Sequence, residues 1–149
     1  MKFKNKLIPT KFQKRYKRFF VDVLNKDKIV TSHCPNSGSM LGLLNKNNKT
    51  WISKADNPDR KLKYTLEIIN DGFSNVGVNT HLANRIVEEA IEQKKIKEIM
   101  HFLNYRREVK FGTNSRFDFE IGNNSHKAFL EVKNVTLSRK KKLQNFLMQ

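Results

Sequence analysis

The sequence predicts an α+β protein in two parts: a small β-barrel over residues 1–79 and a mixed helix-and-strand region over residues 80–149. Three observations carry this. Short apolar, β-branched runs separated by polar turns fill the first half, which is the pattern of a small barrel. The hydrophobic period changes from strand-like to helical at Thr80. Strands then return after residue 106, with no long linker and no internal repeat.

In the first half, Arg15 to Leu24 reads as a strand rich in Phe and Val, and Asn25 to Lys28 as a turn. Lys28 to His33 follows as a short strand, and Cys34 to Ser39 as a loop by its Pro, Asn and Gly content. Thr50 to Lys54 is strand-like around Trp51, and Asp56 to Asp59 is a second loop. Leu62 to Asn70 and Phe73 to Asn79 are strands joined by Asp71-Gly72, a strong hairpin signal. From Thr80, a plausible N-cap, residues Leu82, Ile86, Val87, Ala90 and Ile91 recur at helical spacing. Glu88 points away from that stripe and Glu89 lies nearer its edge. A second short helix is expected through Ile96, Ile99 and Met100, then strands at Arg107 to Phe111, Arg116 to Ile121 and Lys127 to Val135.

The 149 residues suffice for one ordinary domain or two small ones. Thirty Lys and Arg against fourteen Asp and Glu give a formal charge of +16. AT-rich coding, which favours Lys, Asn and Ile, accounts for part of that excess. It does not account for basic residues interleaved with rings, as in Arg15, Tyr16, Lys17, Arg18, Phe19 and Phe20, or Tyr105, Arg106 and Arg107. Such runs suit phosphate contact plus base stacking, and aromatic residues in a strand are equally core. Nucleic acid is the expected partner, DNA first and RNA second. The binding candidates are Arg15, Lys17 and Arg18 on the first strand and Arg60 and Lys61 after the second loop. Asn36, Ser37 and Gly38 form a polar loop that either approaches a backbone or is plain turn chemistry. A single cysteine, Cys34, excludes an intrachain disulfide framework and a multi-thiolate zinc site. No apolar run approaches the ~18 residues of a membrane span. The basic N-terminus has no apolar stretch behind it, so a cytoplasmic chain without membrane contact is expected. His33, His81, His101 and His126 lack metal-ligand spacing, and no Gly-rich phosphate loop is present.

The constellation with chemical potential is Asp118 with Glu131-Val132-Lys133. On a strand Glu131 and Lys133 share one face while Val132 turns to the other. If the strand bearing Asp118 is adjacent, two carboxylates and an ammonium converge. Carboxylate oxygens suit magnesium, and the lysine can orient water or offset developing charge. The bare Glu-x-Lys pattern recurs as Glu92-Gln93-Lys94 and Glu108-Val109-Lys110. Only the copy at 131 follows an aspartate set between apolar residues, Phe117 and Phe119. The same residues equally describe a salt-bridged hairpin face.

Six ordered strings, RYKRFFVDV, HCPNSGSM, DNPDRKLKYTLE, VNTHLANRIVEEAI, REVKFGTNSRFDF and FLEVKNVTL, resemble the bacterial sugar fermentation stimulation protein A family, from about Leu7 to Leu143. The resemblance implies an OB-like, nucleic-acid-binding barrel over residues 1–79. It implies an incomplete PD-(D/E)XK nuclease-like α/β domain over residues 80–149. It assigns Asp118, Glu131 and Lys133 as motif residues, with Asp118 and Glu131 as magnesium ligands. Glu89 takes the helix position that completes such a site. The usual Pro-Asp pair is Phe117-Asp118 here, which leaves the metal role intact. The family's phenotype-based name also fits a non-catalytic DNA-binding regulator of sugar-metabolism genes.

One departure concerns the end of the chain. The family continues with a segment like Ala-Glu-Phe-Pro-Asp-Ala-Val-Thr, where this chain reads Gln144 to Gln149. Codons GCA GAA TTT CCT GAT GCA GTA ACN, read one base later, give Gln-Asn-Phe-Leu-Met-Gln and a stop. The run Lys140 to Lys142 suits an adenine tract where a frame is lost. The expectation is therefore a family member frameshifted near Leu143, weakly stable, exposing an edge and an apolar face, and at best weakly active.

Overall fold

The computed structural model describes residues 2–138. The chain forms two compact units, one of Lys2–Thr80 joined by residues 135–138, the other of His81–Asn134.

The first unit is a β-barrel. Its strands are β1 (Ile8–Tyr16), β2 (Phe20–Asn25), β3 (Lys28–His33), β4 (Lys49–Lys54) and β5 (Tyr64–Asn70), with a short β6 (Asn75–Gly77) added beside β5. β1, β2 and β3 form an antiparallel meander, and β1 also pairs with β4, which pairs with β5. A parallel contact at His33 and Thr65 joins β3 to β5 and closes five strands in the order β1-β2-β3-β5-β4. This is the OB-like connectivity. Alternation explains the core: Thr10 and Phe12 face in while Lys11 faces out. Phe12, Val21, Val23, Ile52, Leu66 and Ile69 fill the barrel, with Cys34, Met40 and Leu43 from the following loop. Burial pushes the Cys34 thiol up, and its sulfur lies 3.7 Å from the Met40 sulfur. The cysteine is thus a buried small residue.

Buried polar groups are paired, as a low-dielectric interior requires. Glu67 accepts hydrogen bonds from Ser53 Oγ at 2.7 Å and Asn79 Nδ2 at 2.8 Å. Asp22 accepts from Thr31 Oγ1 at 2.7 Å and the Tyr16 hydroxyl at 3.2 Å. The Asp71-Gly72 turn joins β5 to β6, with Gly72 at φ +100° and Asp71 Oδ1 accepting the amides of Phe73 and Ser74, both at 2.8 Å. Residues 135–138 return to this unit. Ser138 N–H donates to Leu41 O at 3.0 Å and Ser138 Oγ to Asp71 Oδ2 at 2.5 Å. A Cβ on Gly42, whose φ is +82°, would lie 2.0 Å from Ser138 O.

The expected strand from Arg15 to Leu24 is two strands. A turn at Lys17–Phe19 divides it, with Lys17 and Arg18 left-handed at φ 45° and 60°. Neither residue is a usual turn type, and the aromatic run around them hid the break.

Past the end of the first unit at Thr80, a 3-10 turn at Thr80–Leu82 leads into helix α1 (Ala83–Glu92) of the second unit. Thr80 is not its cap: the threonine hydroxyl donates to Pro35 O at 2.6 Å in the first unit's own loop, and Leu82 stands at the N-cap. No residue of α1 is buried, and Ile86 is 50% exposed, so the apolar stripe that predicts the helix is not enclosed. A single 3-10 turn, Lys97–Ile99, replaces the second helix. Strands β7 (Asn104–Phe111), β8 (Ser115–Gly122) and β9 (Lys127–Leu130) form an antiparallel sheet in sequence order. Phe119 and Ile121 are its buried pair, and Phe117 stacks on Phe129 with centroids 4.9 Å apart.

Lys127 to Val135 is not one strand. The ladder stops at the Phe119–Leu130 pair, so Glu131 and Lys133 lie beyond β9 rather than on one strand face. Lys140 to Lys142 and Gln144 to Gln149, where the frameshift expectation rests, lie outside the described residues.

Candidate functional site

Asp118 occupies the middle of β8, between Phe117 and Phe119. Both of its carboxylate oxygens are engaged. Oδ1 accepts a hydrogen bond from Asn84 Nδ2 of α1 at 2.7 Å, and Oδ2 accepts one from the backbone N–H of Val132 at 2.7 Å. The reason is local. Beyond Leu130 the chain leaves the sheet, so the Val132 amide has no ladder partner and must find another acceptor. The Asp118 carboxylate supplies it and thereby fixes residues 131–133 beside β8. Glu131 and Lys133 flank that amide and pair with each other, Nζ to Oε1, at 2.6 Å. Glu131 beside it, and Asp118 more weakly, hold the Lys133 ammonium above the ordinary lysine value.

Asp118, Glu131 and Lys133 are thus brought around one backbone amide. The oxygen donors match a hard divalent cation in type. Each Asp118 oxygen keeps a second lone pair after its hydrogen bond. The Lys133 ammonium already sits on Glu131, so a cation there would displace it. Among the described residues, no three His, Cys, Asp or Glu side chains are grouped closely enough to hold a metal. Glu89 therefore does not join Asp118 and Glu131 in such a group. It accepts a hydrogen bond from Gln93 Nε2 on its own helix at 3.3 Å.

Instead, α1 meets the sheet through Asn84, Glu88 and Glu92, which share one helix side at four-residue spacing. Glu88 Oε2 pairs with Arg107 at 2.9 Å, and Glu92 Oε1 accepts from the Tyr105 hydroxyl at 2.6 Å. Glu92, then burial, then Glu88 push the Tyr105 phenol up to about 12. Asn84 and Glu88 are the residues that sequence reasoning missed. Their signal was the four-residue repeat itself, which reads as solvated when only the apolar stripe is followed.

On the barrel, the basic candidates separate into two kinds. Arg15 is spent on the protein's own carbonyls. Its guanidinium donates to Arg18 O at 2.7 Å, Gly38 O at 2.7 Å and Asn36 O at 2.5 Å. Arg60 likewise holds Leu62 O at 2.6 Å, Tyr64 O at 2.7 Å and Thr65 Oγ1 at 2.8 Å. Asn36 braces its loop, accepting from Gly38 N–H at 2.8 Å and donating to Val78 O at 3.2 Å and Thr136 Oγ1 at 3.0 Å. These three are clamps. Lys17, Arg18, Ser37, Gly38 and Lys61 are exposed. A groove of about 540 Å³ lies between the Lys17–Arg18 turn and the Ser37–Ser39 loop, with Tyr16 on its wall.

Comparison with known proteins places both halves. Residues 14–78 match the SfsA N-terminal OB domain, and residues 81–146 match the sugar fermentation stimulation protein RE domain. The sugar fermentation stimulation protein homolog of Pelagibacter ubique is 50% identical over 146 residues, covering 98% of this chain and 63% of the relative. That of Geotalea uraniireducens is 45% identical over 132 residues, covering 88% of this chain and 57% of the relative. The chain thus spans less than two thirds of their length. A structure of Pyrococcus furiosus SfsA in complex with Ca2+ has the same fold, with TM-score 0.71 at 23% identity, covering 88% of this chain and 55% of that one. Two domain matches in the same order, over a closed barrel and the α+β unit that follows it, establish that the chain belongs to the sugar fermentation stimulation protein family.

Proposed function

We propose that the protein binds nucleic acid through its barrel and carries a PD-(D/E)XK-type site for magnesium-assisted phosphodiester hydrolysis in its second unit. The observation that carries this is the Asp118 carboxylate held on the Val132 amide, between Glu131 and Lys133. Asp118 and Glu131 would hold the cation, and the calcium-bound relative supports a divalent ion in the family. A bound magnesium ion supplies polarisation of the phosphate and a water of lowered pKa. The protein's own groups do the rest. Asn84 and the Val132 amide fix the Asp118 carboxylate. Lys133 stays charged through neutral pH and donates hydrogen bonds to the attacking water or a non-bridging phosphate oxygen. Lys17 and Arg18 contact the phosphate backbone. DNA is the first substrate, RNA the second, and the cytoplasm the compartment; among the described residues no helix is long and apolar enough to cross a membrane.

A second reading has its own support. Among the described residues no third acidic side chain joins Asp118 and Glu131, which favours a non-catalytic DNA-binding regulator of sugar-metabolism genes. Incubating the protein with labelled DNA and RNA, in magnesium and in chelator, separates the two. Magnesium-dependent cleavage absent from Asp118→Asn is expected. Salt-sensitive binding with no cleavage by either protein would leave the regulator reading.

A further inference from the structure

A groove of about 390 Å³ opens at the other end of β1 from the Lys17–Arg18 turn. Pro9, Lys11, Lys26, Asp27, Lys49 and Trp51 line it, from the start of β1, the β2–β3 turn and the start of β4. Its charge is unbalanced. Lys11 and Lys49 stand directly opposite each other in the β1–β4 ladder, an arrangement that like charges destabilise. Lys26 adds a third ammonium from the turn. Among the described residues, none of the three makes an ion pair, and Asp27 is the one carboxylate in the lining. Beside them sits Trp51, half-buried, paired in register with Pro9 and Ile68. Its indole N–H makes no hydrogen bond to a described residue, which leaves a ring and a donor open to a ligand. A stacking ring ringed by unpaired ammonium groups is what a base with flanking phosphates requires.

We propose that this groove is a second nucleic-acid site, taking an unstacked base of a single strand on Trp51 and its phosphates on Lys11, Lys26 and Lys49. It deepens the nucleic-acid reading of the barrel and rests on it for the ligand class alone, since it uses none of the residues of the Tyr16–Arg18 groove. It gives the protein a preference for single strands, because a duplex keeps its bases stacked out of reach.

Trp51 is the chain's one tryptophan, so its fluorescence reports on this groove. The test titrates the protein with a short oligothymidylate, a duplex and an abasic oligomer of equal length, and follows tryptophan emission. Anisotropy of a labelled strand follows total binding in parallel. Saturable quenching by the oligothymidylate, absent with the abasic strand and weak with the duplex, is expected. Lys11→Gln with Lys49→Gln should raise the half-saturation for quenching about tenfold through two lost phosphate contacts. Lys17→Gln with Arg18→Gln should weaken total binding and leave quenching by a trinucleotide unchanged. Far-UV circular dichroism confirms that each variant keeps its barrel. Binding by anisotropy without quenching would overturn this site and leave the barrel reading standing. Equal quenching by the abasic strand, or quenching indifferent to Lys11 and Lys49, would overturn it too. Absence of both signals would remove the nucleic-acid reading of the barrel with it.

Discussion

Arg15 and Arg18 are three residues apart in one basic run, yet Arg15 is turned to the protein's own carbonyls and Arg18 is exposed. Three main-chain carbonyls engage all three guanidinium nitrogens of Arg15. Arg15→Gln should therefore lower barrel stability by about 1 kcal/mol, chiefly the cost of leaving the part-buried Asn36 carbonyl unpaired, measured by urea unfolding. Lys17→Gln and Arg18→Gln should change stability by less than ~0.5 kcal/mol. Each should reduce the salt slope of nucleic-acid binding by roughly 0.7–0.9. The basic-aromatic clustering was legible in sequence; which guanidinium the protein keeps for itself was not. That depends on carbonyls at positions 36 and 38, which only the closed barrel brings to β1. Asp71 offers a second test at this scale. The Ser138 hydroxyl, then the Ser74 and Phe73 amides, hold its carboxyl down at about 2. A depressed folded pKa stabilises above the unfolded value near 3.9 and ceases to do so as pH falls through the folded one. The melting-temperature gap between the protein and Asp71→Asn should therefore be full above about pH 4 and close by about pH 2.

The elements differ in how firmly they are held. β1 to β5 enclose a continuous apolar core, whereas α1 buries no residue and meets its sheet through Asn84, Glu88 and Glu92. Local opening follows burial. Amide exchange should therefore be slowest at Val21, Val23, Ile52 and Leu66 and faster throughout α1, as hydrogen-exchange mass spectrometry or NMR can measure. Most strands were legible from alternation and turn residues, and the Asp71-Gly72 hairpin from its dipeptide alone. The end of β9 was not. Alternation runs on through Glu131 and Lys133, but a strand needs a partner, and the ladder ends at Leu130. What holds the segment beyond is a side chain, Asp118, acting on the Val132 amide. The sequence therefore named Asp118, Glu131 and Lys133 as neighbours, but not the backbone that makes them so: the motif joins strand to coil instead of strand to strand. Glu89 was singled out over its neighbour because the resemblance marks that position, while contact with the sheet falls to Glu88, one residue earlier.

At the scale of the whole molecule, the chain carries a charge of +16 and forms two compact units; the proposed function divides binding and chemistry between them. On the proposed reading, the charge governs encounter with a polyanion and makes binding steeply salt-dependent. The chemistry, on the proposed reading, is confined to three side chains around one amide in the second unit. Binding and cleavage should then fail separately. The most direct measurement assays both on the same labelled strand in magnesium, for the protein, for Asp118→Asn and for Lys17→Gln with Arg18→Gln. The account predicts that Asp118→Asn binds as the protein does and cleaves nothing. It predicts that the barrel variant binds more weakly and regains cleavage at saturating protein. Cleavage that persists in Asp118→Asn, or binding that is lost with it, would contradict the assignment of the site.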